Sequence, residues 1–220
     1  MTDPEPIPDV DPDVDPDRLG PERLLAFSDG VVAIALTLLI LPLAELVPET
    51  AGPEATGLTV LRENLAPIGS FLLSFLVIGR FWAAHHRVFA RARTASRALV
   101  QWNLAWLLTI VVLPFPTEMV GAYSEDPFTL RFYVGTLLVS AALLSWMTVL
   151  ISRALGPAAR AGLRDMSFGG TTLALVVVFA VTLVAPGLGY WPILLLFLSP
   201  VLDRLLRPLT RRVLTGSAGR

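Results

Sequence analysis

Apolar runs of about twenty residues recur along this chain, separated by short polar stretches of alternating sign. A run of that length crosses a bilayer core of roughly 30 Å as a helix, the conformation that satisfies backbone groups where water is absent. The first run, RLLAFSDGVVAIALTLLILPL from Arg23 to Leu43, predicts helix 1 over residues 21–44, opened by Pro21 and Glu22 and ending near Pro42. The segment after it, with Glu45, Glu49, Gly52, Pro53 and Glu54, reads as an acidic loop. Helix 2 is predicted over 64–90, apolar through SFLLSFLVIG and closing in RFWAAHHRVF, with the basic loop ARARTASR behind it. Helix 3 begins near Ala98, and Pro114 and Pro116 kink or end it because each removes a backbone donor. Helices 4, 5 and 6 are predicted over 127–153, 168–186 and 190–207, with the tight turn APGLG from Ala185 to Gly189 joining the last two. The pattern predicts an all-α integral membrane protein with six transmembrane helices per subunit.

Three regions follow. Residues 1–20, with the near-repeat DVDPDVDPD, cannot bury enough apolar surface to offset their ordering entropy and read as a disordered acidic, proline-rich tail. These aspartates lack the glycine and terminal glutamate of an EF-hand loop, so no calcium site is expected. Residues 21–208 form the six-helix transmembrane domain, and 209–220 a short basic tail.

Charge fixes the expected orientation. Six spans put both termini on one side, where the loops after helices 2 and 4 and the C-terminus carry nearly all the arginine. Arg62 and Arg131 alone fall opposite, among the acidic connections that include Glu118, Glu125 and Asp126. Positive charge is retained in the cytoplasm, so both termini are expected there, in a multi-pass protein of the cell membrane. Trp82, Tyr123, Tyr190 and Trp191 lie near span ends, where an interfacial aromatic belt forms.

Composition agrees and excludes several chemistries. The chain is 54% hydrophobic and 16% charged, against about 25% charged in soluble domains. It has no cysteine, which excludes disulfides and thiolate chemistry. No cleavable signal sequence is expected, because the N-terminus lacks a basic region and a short apolar core. No nucleic-acid partner, metal or cofactor is expected, and membrane lipids surround the domain.

Asp29 makes helix 1 unusual, since an ionisable group at membrane depth is costly and points to function. At about 100° per residue Phe27, Gly30, Ile34, Thr37, Leu38 and Leu41 share one stripe, and Asp29 projects from roughly the opposite side. The stripe alone is compatible with plain core or lipid contact. Asp29 needs a partner; Arg80, His85 and His86 on helix 2 and Trp102 and Asn103 on helix 3 are the candidates at its depth.

Arg23, Phe27, Ser28, Asp29, Ala33, Ile34 and Thr37 fit the pattern R-x-x-x-F-S-D followed by A-I and a threonine. This resembles the first helix of the transmembrane protein 175 family of potassium channels, found in lysosomes and bacteria. FWAAHHRVF and WNL…LPFPTE extend the resemblance over residues 20–125. It implies a bacterial single-repeat member, with which the use of arginine for all 17 basic residues agrees as a sign of a GC-rich gene. It further implies a homotetramer in which helix 1 of each subunit lines a central pore, Ile34, Leu41 and Leu38 forming the apolar constriction and gate. Thr37 matches a hydroxyl ring associated with potassium preference. Ala33, where some animal members have serine, leaves fewer hydroxyls at the constriction, so selectivity for potassium over sodium is expected to be modest.

The same resemblance makes the F-S-D motif a packing device, in a structural network of Arg23, Phe27, Ser28, Asp29, Trp82, His85, His86 and Asn103. Arg23 is expected to pair with Asp29 or a carbonyl. His85 and His86 point about 100° apart on a helix and are not expected to share a metal; a pH-sensing role stays open. The alternative function is a proton- or cation-coupled secondary transporter using Asp29 with His85 or His86, although no inverted repeat or paired broken helices are evident. An intramembrane hydrolase on Ser28, Asp29 and His85 lacks a nucleophile elbow or a metal-binding pair, so no enzyme is expected.

Overall fold

A computed structural model describes residues 20–50, 56–123, 125–155 and 169–184. The described residues are helical: α1 (Pro21–Leu38), α2 (Leu41–Thr50), α3 (Gly57–Glu63), α4 (Leu65–Phe89), α5 (Arg97–Val112), α6 (Pro114–Ala122), α7 (Pro127–Ala154) and α8 (Gly169–Val184). Among the described residues, four apolar stretches are long enough to cross a membrane: Pro21–Pro48, Leu65–Phe89, Arg97–Ala122 and Pro127–Ala154. The predicted tails, the APGLG turn and helix 6 lie outside the described residues.

The first apolar stretch runs further than its sequence suggested. Pro42 does not end the helix; it occupies the second position of α2, where its missing N–H has no intrahelical partner to lose. The ladder resumes at once, with Ala44 N donating to the carbonyl of Ile40 at 3.1 Å. Glu45, expected in a loop, is therefore on a helix. The step between α1 and α2 is a joint at Leu39 and Ile40. A short helix α3, not foreseen, is nucleated by Thr56, whose hydroxyl accepts from Thr59 N at 3.3 Å.

Pro114 kinks helix 3. Leu113 N turns back to Ile110 O, α6 restarts with Pro114 in its first turn, and Thr117 N reaches Leu113 O at 3.1 Å. Ser96 caps α5 by accepting from Leu99 N, and Asp126 caps α7 through the N–H groups of Phe128 and Thr129.

α1 packs on α4 and α5, α4 on α6, and α7 lies between α5, α6 and α8. Leu130, Val134, Leu137, Ala141, Leu144, Met147 and Ile151 make a buried stripe at three- and four-residue spacing along α7. Leu24, Val32, Ala35 and Leu39 make the matching stripe on α1. Lipid tails are as apolar as these side chains, so close packing and interhelical hydrogen bonds hold the spans together. That raises the weight of the polar contacts below.

Candidate functional site

The two faces of α1 have opposite environments. Leu24, Ser28, Val32 and Ala35 are sealed against α4 and α5, whereas Phe27, Gly30, Ile34, Thr37, Leu38 and Leu41 form a continuous exposed face, Ile34 being 62% exposed. This is the stripe read from periodicity, and none of the described residues buries it. Thr37 is its polar member. Its hydroxyl donates to Ile34 O at 2.8 Å, so the lone pairs of Oγ1 remain for the exposed side.

Ser28 anchors the sealed face. Its hydroxyl donates to Leu24 O at 2.8 Å and accepts from Asn103 Nδ2 at 2.9 Å. With the amide so oriented, Asn103 Oδ1 faces His85 Nε2 at 2.7 Å, and the imidazole must donate there. The series His85, Asn103, Ser28, Leu24 carbonyl thus has one direction of donation, and its three side chains are fully buried. His85 is clamped between Trp106, parallel to within 6° at 4.3 Å, and Phe89 at 4.1 Å. Its Nδ1 and Trp106 Nε1 have no hydrogen-bond partner among the described residues.

Asp29 makes a second, more open contact with α4. Trp82 Nε1 donates to Oδ1 at 2.8 Å, and His86 Nδ1 lies 3.7 Å from Oδ2. Neighbours on each helix divide the work: Ser28 and His85 belong to the buried network, Asp29 and His86 to the exposed one. This separation follows from the 100° step, and it places the two histidines in different environments. Among the described residues no group of three His, Asp or Glu could hold a metal.

Three residues considered as partners of Asp29 do not contact it. Arg80 does not meet Asp29; its Nη2 donates to Thr171 Oγ1 of α8 at 3.2 Å. Arg23 is exposed at the start of α1 and makes no ion pair with Asp29, whose carboxylate faces α4. Trp102 is likewise directed elsewhere, edge-on to Trp146 at 6.1 Å.

A third cluster was not foreseen. Thr117 Oγ1 lies 2.7 Å from Leu113 O and 2.8 Å from Ser74 Oγ, and Ser74 lies 3.0 Å from Tyr133 OH. It joins α6, α4 and α7 toward the end of the bundle opposite His85. Single hydroxyls in apolar runs are ordinary in membrane helices, and the only signal was their similar depth on three neighbouring spans.

Comparison with known proteins bears on this arrangement. The family model for the endosomal/lysosomal potassium channel TMEM175 matches residues 23–114. A potassium channel of Streptomyces collinus is 40% identical over 104 residues, 47% of this chain and 49% of that protein. One from Chamaesiphon minutus is 39% identical over 106 residues, 48% and 51% of the two chains. Through this segment the chain is similar to the TMEM175 family. The endosomal/lysosomal proton channel TMEM175 of Homo sapiens is 36% identical over 114 residues, covering 50% of this chain and 23% of that one. The chain spans about half the length of the first two relatives.

The fold extends the relationship. The crystal structure of a lysosomal potassium-selective channel TMEM175 homologue from Chamaesiphon minutus superposes with a TM-score of 0.63 at 26% identity, covering 84% of this chain and 96% of that one. The TMEM175 segment of this chain contains all of α4 and α5, most of α1, and the exposed face and both α1 networks. The hydroxyl cluster lies partly beyond it, at Thr117 and Tyr133. The described residues are those of an all-helical, multi-pass membrane protein, and the proteins to which the chain is similar are ion channels rather than enzymes or coupled transporters.

Proposed function

We propose that this chain is a potassium-permeable cation channel that conducts passively through a central pore between four copies, with α1 of each lining it. The observation that carries the proposal is the uncovered face of α1: an apolar stripe with one hydroxyl, on a helix braced from behind by two polar networks. Side chains that the described residues leave so exposed are free to meet lipid, another subunit or the pore, and the similarity of this segment to potassium channels favours the pore.

Ile34, Leu38 and Leu41 then form stacked apolar rings. A narrow apolar ring gates by dewetting, because it offers a water column no hydrogen bonds until it widens. Thr37 adds four hydroxyl oxygens between the rings of Ile34 and Leu41, with lone pairs free to replace part of a cation's hydration shell. Potassium gives up its shell more readily than sodium, so the ring favours potassium, modestly, since Ala33 supplies no second hydroxyl. Arg23, Phe27, Ser28, Asp29, Trp82, His85, His86 and Asn103 act behind or beside the pore, setting the position of α1.

In this reading the domain spans residues 21–208 as six transmembrane helices in the cell membrane, flanked by cytoplasmic tails at 1–20 and 209–220. Purified protein reconstituted in liposomes under opposed potassium and sodium gradients tests it. Voltage-driven current reversing with the cation gradient is expected; saturable electroneutral exchange would replace the channel with a transporter.

A further inference from the structure

A cavity of about 200 Å³ lies behind the α1–α2 joint, between that joint, the first turns of α4, and α6. Its apolar wall includes Leu39, Leu43, Leu46 and Phe71. A dry cavity of about 150 Å³ admits a benzene ring, so this one holds a six-membered ring and a short arm.

The polar atoms around it are all of one kind. The Ser70 hydroxyl donates to Pro67 O at 2.9 Å, and Thr117 Oγ1 is placed to donate to Leu113 O at 2.7 Å. Their protons are committed, and what remains toward the cavity is lone pairs. Pro42, Pro67 and Pro114 line it without a backbone N–H. Glu45 and Glu118 complete the rim; both are exposed, and neither has an ion-pair partner among the described residues. The wall therefore offers an apolar pocket, acceptors and negative charge, and no side-chain donor.

We propose that this cavity binds small organic ammonium ions, with the apolar ring against Leu39, Leu46 and Phe71 and the charged nitrogen at Glu45 and Glu118. A neutral ligand of the same shape lacks the charge attraction to Glu45 and Glu118, and an anionic one is repelled by them. The site is on the side of α1 away from the exposed stripe, so it is distinct from the proposed pore. An occupant would touch the Leu39 joint, the break in the helical ladder of the first span.

The test is equilibrium binding to the purified full chain in detergent micelles, read from the fluorine resonance of 4-fluorobenzylammonium, with 4-fluorobenzyl alcohol as the uncharged control. Because binding is measured, failure here and failure of the channel reading are distinguishable. Saturable binding of the ammonium is expected, about fivefold weaker in Glu45→Gln and in Glu118→Gln, the effect of one water-screened charge contact at about 4 Å. Leu46→Trp, which fills the space, should abolish it. The two isosteric changes at exposed positions keep the test decisive if the tryptophan variant misfolds. Equal affinity for the alcohol, no response to either glutamine variant, or loss of binding in Ile34→Ala instead would overturn the proposal.

Discussion

The Asn103 amide donates to Ser28 Oγ at 2.9 Å, joining α5 to α1 where neither side chain reaches the surface. Asn103 is also the acceptor for His85, so it is the one residue that links all three helices of the buried network. Asn103→Ala should orphan the imidazole N–H and leave Ser28 without its donor. Orphaned buried groups cost about 1–3 kcal/mol in soluble proteins, while hydrogen bonds between membrane helices average about 0.6. With two groups affected, a loss of about 1–2 kcal/mol is expected in reversible unfolding from mixed micelles. Ser28→Ala should cost less, because Leu24 O loses a second donor but keeps its helical one, and only the Asn103 amide is left unpaired.

Asp29 should matter for the position of α1 rather than for its helicity. Asp29→Ala removes the acceptor for Trp82 and the neighbour of His86, the second attachment of α1 to α4. On the proposed tetrameric channel, reduced tetramer yield or altered gating is expected, with helix content by circular dichroism unchanged. Trp82→Phe keeps most of the packing and removes only the donor, so it should reproduce a weaker form of the same defect. Normal assembly and currents in Asp29→Ala would remove the bracing role.

On the opposite face, Ile34→Ala or Ile34→Asn should raise single-channel conductance by widening or wetting the apolar ring. Thr37→Val keeps the side chain's shape and removes its oxygen, so reversal potentials should shift toward sodium with conductance little changed. Unaltered permeation in both variants would take α1 out of the pore.

Span positions were legible because hydropathy over twenty residues is set by lipid alone; α4 was placed within a residue at each end. The exposed face of α1 was legible from the 3.6-residue period. Pro42 misled because a proline near a helix end and one in the first turn of a following helix look alike in sequence. The partners of Asp29 were legible only in part. Candidates at one depth could be named, but rotation about α4 decides that His86 faces it while Arg80 reaches α8. The Ser74, Thr117 and Tyr133 cluster was invisible, since its members are 43 and 59 residues apart and each alone is unremarked in an apolar run.

Asp126 gives α7 a pH-dependent start. Hydrogen bonds from the Thr129 hydroxyl and backbone N–H, with that of Phe128, hold its carboxyl below the usual carboxylate range. A depressed pKa in the folded chain means stability present above the unfolded value and lost as pH falls through the folded one. Thermal stability should therefore decline below about pH 4. Asp126→Asn, which still caps but does not titrate, should shrink that part of the decline. An identical acid profile in the variant would assign it to other carboxylates.

Gly121 tests how closely α6 approaches α4. A Cβ there would meet Pro67 Cα at 3.0 Å and Ser70 Oγ at 3.1 Å, and the first of these is backbone that cannot rotate away. Gly121→Ala should separate the two helices and destabilise by about 1–3 kcal/mol, the range for overpacking. Gly79, inside α4, has nothing within 4 Å of the same position. Gly79→Ala should be neutral or stabilising by up to about 1 kcal/mol through helix propensity. The opposite signs of two identical substitutions isolate the close approach from the general effect of glycine in a helix. If Gly121→Ala were as stable as Gly79→Ala, α6 would not pack on α4 at this distance, and the cavity they enclose with the α1–α2 joint would be wider than its lining implies.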